Sequence, residues 1–169
     1  IPLKIQVNDI NKNQINIIKS KIKEIINSKN IIHGIEFIDN INLVFKKIDL
    51  AIISTTADVR SILINKLNNL SNIRYWLLEK ILAQNIDQIN RIITEIGHKE
   101  NAWINHPRRI CKFYKSIKSS SPTVKTMNMR VSGGKWGLAC NSIHFIDLHC
   151  WLNSCELTDI DSNNLNKLW

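Results

Sequence analysis

The apolar positions change period several times along the chain, and each change marks an element. Residues 50–53 form a short continuous apolar run, the pattern of a parallel strand covered on both faces. Ser54, Thr55 and Thr56 end it. Asp58 then falls near a helix N-terminus, where negative charge is favoured. Val59, Ile62, Leu63, Leu67 and Leu70 recur at helical spacing. Residues 74–78 predict the next strand, which stops at Glu79-Lys80. Upstream, residues 3–7 alternate, carry β-branched side chains and predict a strand ending at Asn8-Asp9. Ile15, Ile18, Ile22, Ile25 and Ile26 give one face of a helix over 12–29, with Asn30 and Gly34 as its terminators. Residues 35–38 predict a strand, and 40–47 a short helix with Ile41, Val44 and Phe45 apolar. Ile86, Ile89, Ile92, Ile93 and Ile96 predict a helix over 85–98. Asp87 lies in its first turn and His98 and Lys99 near its end, matching the helix dipole. Residues 102–104 predict a fifth strand.

Strand and helix alternate throughout this region, which implies a parallel sheet with right-handed crossovers. All five strands are expected side by side in one sheet. The pattern then changes. Pro107 suits the first turn of a helix running to Lys118, and 119–122 is a polar break. Residues 123–131 alternate as a long strand, suited to an antiparallel sheet with one solvated or ligand-facing side. A flexible Gly-rich loop over 132–137, including Trp136, leads into a helix over 138–152. From Ser154 to Trp169 the sequence is polar and supplies no second complete sheet, so the chain reads as ending short.

Composition narrows the classes. A hydrophobic fraction of 44% over 169 residues is too high for disorder and suits one domain or a part of two. No apolar run approaches the ~18 residues of a membrane helix, and no leader is expected before the first strand. Cys111, Cys140, Cys150 and Cys155 are irregularly spaced and read as reduced thiols of a cytoplasmic protein. The net charge of +9 points towards nucleic acid. However, the basic residues are dispersed, with short pairs such as Lys46-Lys47 and Arg108-Arg109, and aromatic residues do not interleave with them. Ile, Asn and Lys dominate the whole chain, as adenine/thymine-rich codons would produce, so the charge is read as compositional.

Lys80 stands at the carboxyl end of a predicted parallel strand, where ligands bind in open α/β sheets; the plain alternative is a solvated surface lysine. Asp9 fits either a ribose ligand or the cap of the helix that follows. None of the five glycines (Gly34, Gly97, Gly133, Gly134, Gly137) forms the GxGxxG turn that lets backbone amides approach a pyrophosphate. His144, Asp147, His149 and Cys150 are close in sequence, but zinc ligands usually come in spaced pairs. His149 also lies about 140° around a helix from His144. No metal is expected.

Residues 49–55 (DLAIIST), then Thr56-Ala57-Asp58, a helix and a strand ending in Glu79-Lys80, resemble the glucose–fructose oxidoreductase/inositol dehydrogenase (Gfo/Idh/MocA) family of nicotinamide-dependent sugar oxidoreductases. In that family a Glu-Lys-Pro motif carries a lysine that contacts cofactor and substrate; here Ile81 takes the proline position. His-Phe-Ile-Asp at 144–147, behind a Gly-rich loop, is the second match. The family's helix bears Asp-x-x-x-His, two residues on one helix face; here Cys140 takes the Asp position and Asn141 follows. The resemblance implies an α/β protein. Residues 1–106 would be an incomplete Rossmann-type parallel sheet, and 107–169 the start of an α+β substrate domain. About thirty residues, a βαβ unit, would be missing before it.

The implied activity is hydride exchange between NAD or NADP and a sugar or sugar derivative. Lys80 and His144 would be catalytic. Asp9, Thr55, Thr56, Glu79 and Lys80 would face the cofactor; Asn105, Arg109, Asn141 and His144 would face the substrate. A homo-oligomer formed through the C-terminal sheet is the implied assembly, with no membrane partner. Two alternatives stand beside this: a catalytically inactive remnant of the same fold, and a basic nucleic-acid-binding domain.

Overall fold

The computed structural model describes residues 3–29, 34–97, 99–120, 126–135 and 137–164, the side chains of 26–29 and 99 excepted. The chain divides into two compact units: Ile1–Leu78 with Ala83–Trp103, and Glu79–Leu82 with Ile104–Trp169.

The first unit follows the predicted alternation: β1 (Lys4–Asn8), α1 (Lys12–Lys29), β2 (Gly34–Ile38), β3 (Lys47–Ile53), α2 (Ala57–Leu70), β4 (Asn72–Leu78), α3 (Ile86–Ile96) and β5 (Ala102–Ile104). β1 pairs with β2 in parallel, Ile5 opposite Ile35 and Val7 opposite Phe37. β3 pairs with β4 in parallel, Ala51 opposite Trp76 and Ile53 opposite Leu78. β5 lies on the far side of β4.

The strands therefore form two ladders, β1-β2 and β3-β4-β5, and not the single sheet expected. In the doubly wound order one strand stands between the second and the fourth, and no such strand is among the described residues. In its place the Gln6 amide donates to the Leu43 carbonyl (3.2 Å) and accepts from the Phe45 amide (2.7 Å), just before β3 begins.

β3 is also covered on one face only. Ala51, Ile53, Trp76 and Leu78 are buried, whereas Leu50 and Ile52 are about half exposed (49% and 61%). The continuous apolar run hides a one-sided strand.

α2 turns a different face inward from the one expected. Arg60, Ile64 and Leu67 are buried, and Val59 and Ile62 are exposed. The Arg60 guanidinium folds back to donate to the Thr55 carbonyl, so the long polar side chain takes a core position. α2 packs on α3, where Ile92 is buried. There Asn65 and Asn68 donate their side-chain amides to Glu95. In α1, Ile15 is buried but Ile25 is exposed; the Ile26 side chain lies outside the described residues, as does Asn30. Gly34 opens β2 rather than ending the helix. The helix expected over 40–47 is one 3-10 turn, Ile41–Leu43, capped by Asn40 accepting from the Asn42 amide (2.9 Å). α3 ends at Gly97, whose positive φ (73°) favours glycine; His98 lies outside the described residues.

The second unit holds α4 (Lys112–Ser120) and α5 (Leu138–Asn153). The helix expected from Pro107 is split into a 3-10 turn, Pro107–Ile110, and α4. Lys118 joins α4 to the carboxyl end of α5, donating to the Trp151 carbonyl and to Ser154 Oγ (3.0 Å), with its ammonium 4.7 Å from the Trp151 ring centre. A cation there suits the helix dipole.

The strand expected over 123–131 is not formed at Thr126–Val131; residues 121–125, Trp136 and 165–169 lie outside the described residues. The reason is visible at Met127. The Asn153 side chain accepts from the Met127 amide (2.6 Å) and donates to its carbonyl (3.1 Å), occupying groups a strand partner would use. Among the described residues no helix is long and apolar enough to cross a membrane.

Candidate functional site

Within the second unit, three pieces of chain converge on α5. Glu79 and Lys80 follow β4, Asn105 to Arg109 follow β5, and His144 lies on α5 itself. The Lys80 ammonium donates to the Cys140 carbonyl (2.8 Å), one helical turn before His144. The Lys80–Ile81 peptide is cis. Glu79 accepts from the Asn105 amide (2.9 Å). The His106 ring meets the His144 ring edge-on, with centres 5.6 Å apart. Arg108 lays its guanidinium 4.2 Å from the centre of the Phe145 ring, a favourable cation–π placement.

Burial lowers the pKa of His144 below the ordinary imidazole value, reinforced by electrostatic repulsion from Lys80, His106 and Arg108 and opposed by Glu79. A neutral imidazole can accept a proton or donate a hydrogen bond. Its Nδ1 is buried and has no partner, and the same holds for His106 Nδ1 and Arg108 Nε.

Arg109 and Asn141, expected to face the substrate, have contacts within the unit. Arg109 makes a two-point ion pair with Asp147, through Nε (2.8 Å) and Nη2, so it locks the turn after β5 to α5. Asn141 sits against Gly137, where an added Cβ would meet its side-chain nitrogen at 3.4 Å. Gly137 has φ 66°, the left-handed region, where a side chain would be strained.

The residues expected to face the cofactor in the first unit have their own local contacts. Asp9 accepts from the Asn11 amide (2.7 Å), and Asn11 in turn accepts from the Asn13 amide (3.0 Å) to open α1. Thr56 caps α2 by position, without a side-chain cap bond. Thr55 Oγ1, at the carboxyl end of β3, is buried without a partner.

No protein-family model and no curated sequence matches the chain. Its structure does match solved ones. The transcriptional regulator Gal80p of Kluyveromyces lactis aligns with 88% of the chain at TM-score 0.63 and 18% identity. Myo-inositol dehydrogenase of Lactobacillus casei, in complex with NAD(H) and myo-inositol, aligns with 91% at TM-score 0.59 and 13% identity. A probable dehydrogenase of Thermotoga maritima aligns with 92% at TM-score 0.56 and 13% identity. The chain shares a Rossmann-type α/β fold with part of these proteins. It spans 43%, 55% and 56% of those three chains, about half their length. At these identities the likeness concerns the fold, a Rossmann-type α/β arrangement, and it supports the resemblance to the Gfo/Idh/MocA family read from the motifs.

On this fold, the structure brings Glu79, Lys80, Asn105 and His144 together in one unit. His106 and Arg108 join them and were not singled out in the sequence. The signal for them is slight: both sit in the turn after β5, within the stretch Asn-His-Pro-Arg-Arg. Among the described residues no group of His, Cys, Asp or Glu is placed to hold a metal.

Proposed function

We propose that the chain is part of an oxidoreductase that exchanges hydride between NAD or NADP and a hydroxyl-bearing carbon of a sugar or cyclic polyol. The observation that carries this reading is the Lys80–Cys140 hydrogen bond, which sets an ammonium one turn from His144 in a dehydrogenase fold. When bound, the cofactor would supply the hydride chemistry. In the first unit Asp9, Thr55 and Thr56 are the residues proposed for it, and in the second Glu79 and Lys80. The partnerless Thr55 hydroxyl supports the fit, because it lies at a strand's carboxyl end, where such ligands bind.

Oxidation of an alcohol removes a hydroxyl proton, so a base must stand within reach of that oxygen. His144 is kept neutral by its surroundings and has an open Nδ1. Lys80 would donate to the same oxygen and stabilise the developing alkoxide. Asn105 would keep Glu79 in place beside them, and Arg109 would act through Asp147 by fixing the turn against α5.

Cys140 favours a second reading. A thiol cannot orient an imidazole as a carboxylate does, and the matched structures include the regulator Gal80p. The chain would then be a non-catalytic relative with the same fold. Nicotinamide reduction, followed by absorbance with inositols and aldoses as substrates, separates the two. The assay uses the protein expressed with its upstream reading frame. Turnover supports the enzyme, and its absence across the panel supports the remnant.

A further inference from the structure

The groups around His144 are unusual in what they lack. Arg108 Nε, His106 Nδ1 and His144 Nδ1 are buried, lie in one unit and have no hydrogen-bond partner. A buried nitrogen left unmatched loses the hydrogen bond water would have given it. The two carboxylates nearby are already engaged, Glu79 by Asn105 and Asp147 by Arg109. Asp147 pairs with Arg109, and among the described residues no ion pair reaches Lys80 or Arg108. Arg108 spends its remaining contacts on the Phe145 ring and a long bond to Tyr114 Oη (3.5 Å). Neither contact neutralises its charge.

We infer that this site takes an anionic sugar derivative, one carrying a carboxylate or phosphoryl group, and that Arg108 and His106 select it. The inference rests on the proposed polyol site and narrows its substrate class. An oxyanion supplies several acceptors at once. It can satisfy the open guanidinium nitrogen and an imidazole N–H while balancing Lys80 and Arg108. A neutral polyol can fill the same acceptor roles with its hydroxyls but leaves both cations uncompensated. Burial is the main cause of the lowered pKa of His144, and the repulsion it meets from Lys80, His106 and Arg108, ahead of the opposing Glu79, fits a site short of negative charge. Phe145 holds the Arg108 guanidinium plane in place, which suits two-point recognition of a planar carboxylate.

The test is a titration of the ring signals of His106 and His144 by NMR on the 169-residue chain, with four probes: myo-inositol, glucuronate, glucose 6-phosphate and inorganic phosphate. Saturable shifts of both rings with glucuronate or glucose 6-phosphate, at concentrations at least tenfold below those needed for myo-inositol, are the expected result. Which of the two sugars binds better identifies carboxylate or phosphoryl as the group. Arg108→Met should remove the tenfold preference, and Arg108→Lys, which keeps the charge but not the fork, should restore part of it. Unchanged backbone amide signals elsewhere would show that both variants fold. Equal binding of myo-inositol and the anionic sugars would overturn the inference while leaving the polyol site standing. Equal shifts from inorganic phosphate alone would mean an adventitious ion only, and would overturn it too. No shift of either ring with any probe would remove both the inference and the site beneath it.

Discussion

At the scale of single residues, the chemistry turns on which nitrogen atoms are left open. His144 is buried enough, and close enough to Lys80, His106 and Arg108, for its pKa to fall below the ordinary value. The unfolded chain then binds a proton here more readily than the folded one. Stability contributed by neutral His144 is present above about pH 6.5 and is lost as pH falls towards the folded pKa. An NMR titration of the His144 ring should give a midpoint below 6.5, and Lys80→Met should raise it; an unshifted midpoint that ignores Lys80 would contradict the geometry. Lys80, Asn105 and His144 were legible in the sequence because each sits at a strand end or on a motif-bearing helix. The arginine nearest His144 was not. Arg108 and Arg109 are adjacent, and no periodicity tells which will turn towards Phe145 and which towards Asp147. The 3-10 turn at Pro107–Ile110 decides that, giving Arg108 to the ring and Arg109 to the carboxylate.

At the scale of elements, alternation along the chain identified β1 to β5 and the helices between them, because period and turn residues are local properties. Pairing is not local. The run at residues 50–53 reads as two-sided, yet Leu50 and Ile52 are exposed, since what covers a face is decided elsewhere in the chain. Likewise, alternation at 126–131 describes extended backbone but not a ladder partner. The Asn153 side chain meets Met127 there instead. Two backbone groups depend on that one amide, so Asn153→Ala should destabilise the protein by about 1–3 kcal/mol, measured by urea unfolding. A change within about 0.5 kcal/mol, the range of ordinary surface substitutions, would mean that the pairing contributes little.

At the scale of the whole molecule, β1 and β3 each keep one strand edge without a ladder among the described residues, and one face of β3-β4 is open at Leu50 and Ile52. The chain matches about half the length of dehydrogenases with this fold. A glycine-rich turn that would bring backbone amides to a pyrophosphate is not among its 169 residues. The chain by itself should therefore bind NAD(H) weakly, with no saturation by calorimetry in the low micromolar range. A Kd below about 10 μM, worth roughly 7 kcal/mol, would show that Asp9, Thr55 and Lys80 suffice without that turn.

The central claim is that Lys80 and His144 serve one hydroxyl. The most direct test is the rate of nicotinamide reduction, with inositols and sugar acids as substrates, by the protein carrying its upstream reading frame and by its Lys80→Met and His144→Ala variants. Turnover is expected in the parent, with a loss of about 10²–10⁴-fold in Lys80→Met, the usual size of a proton-transfer contribution. His144→Ala should lose less, because Cys140 already stands where the family has a carboxylate. Full turnover in a folded Lys80→Met variant would contradict the claim.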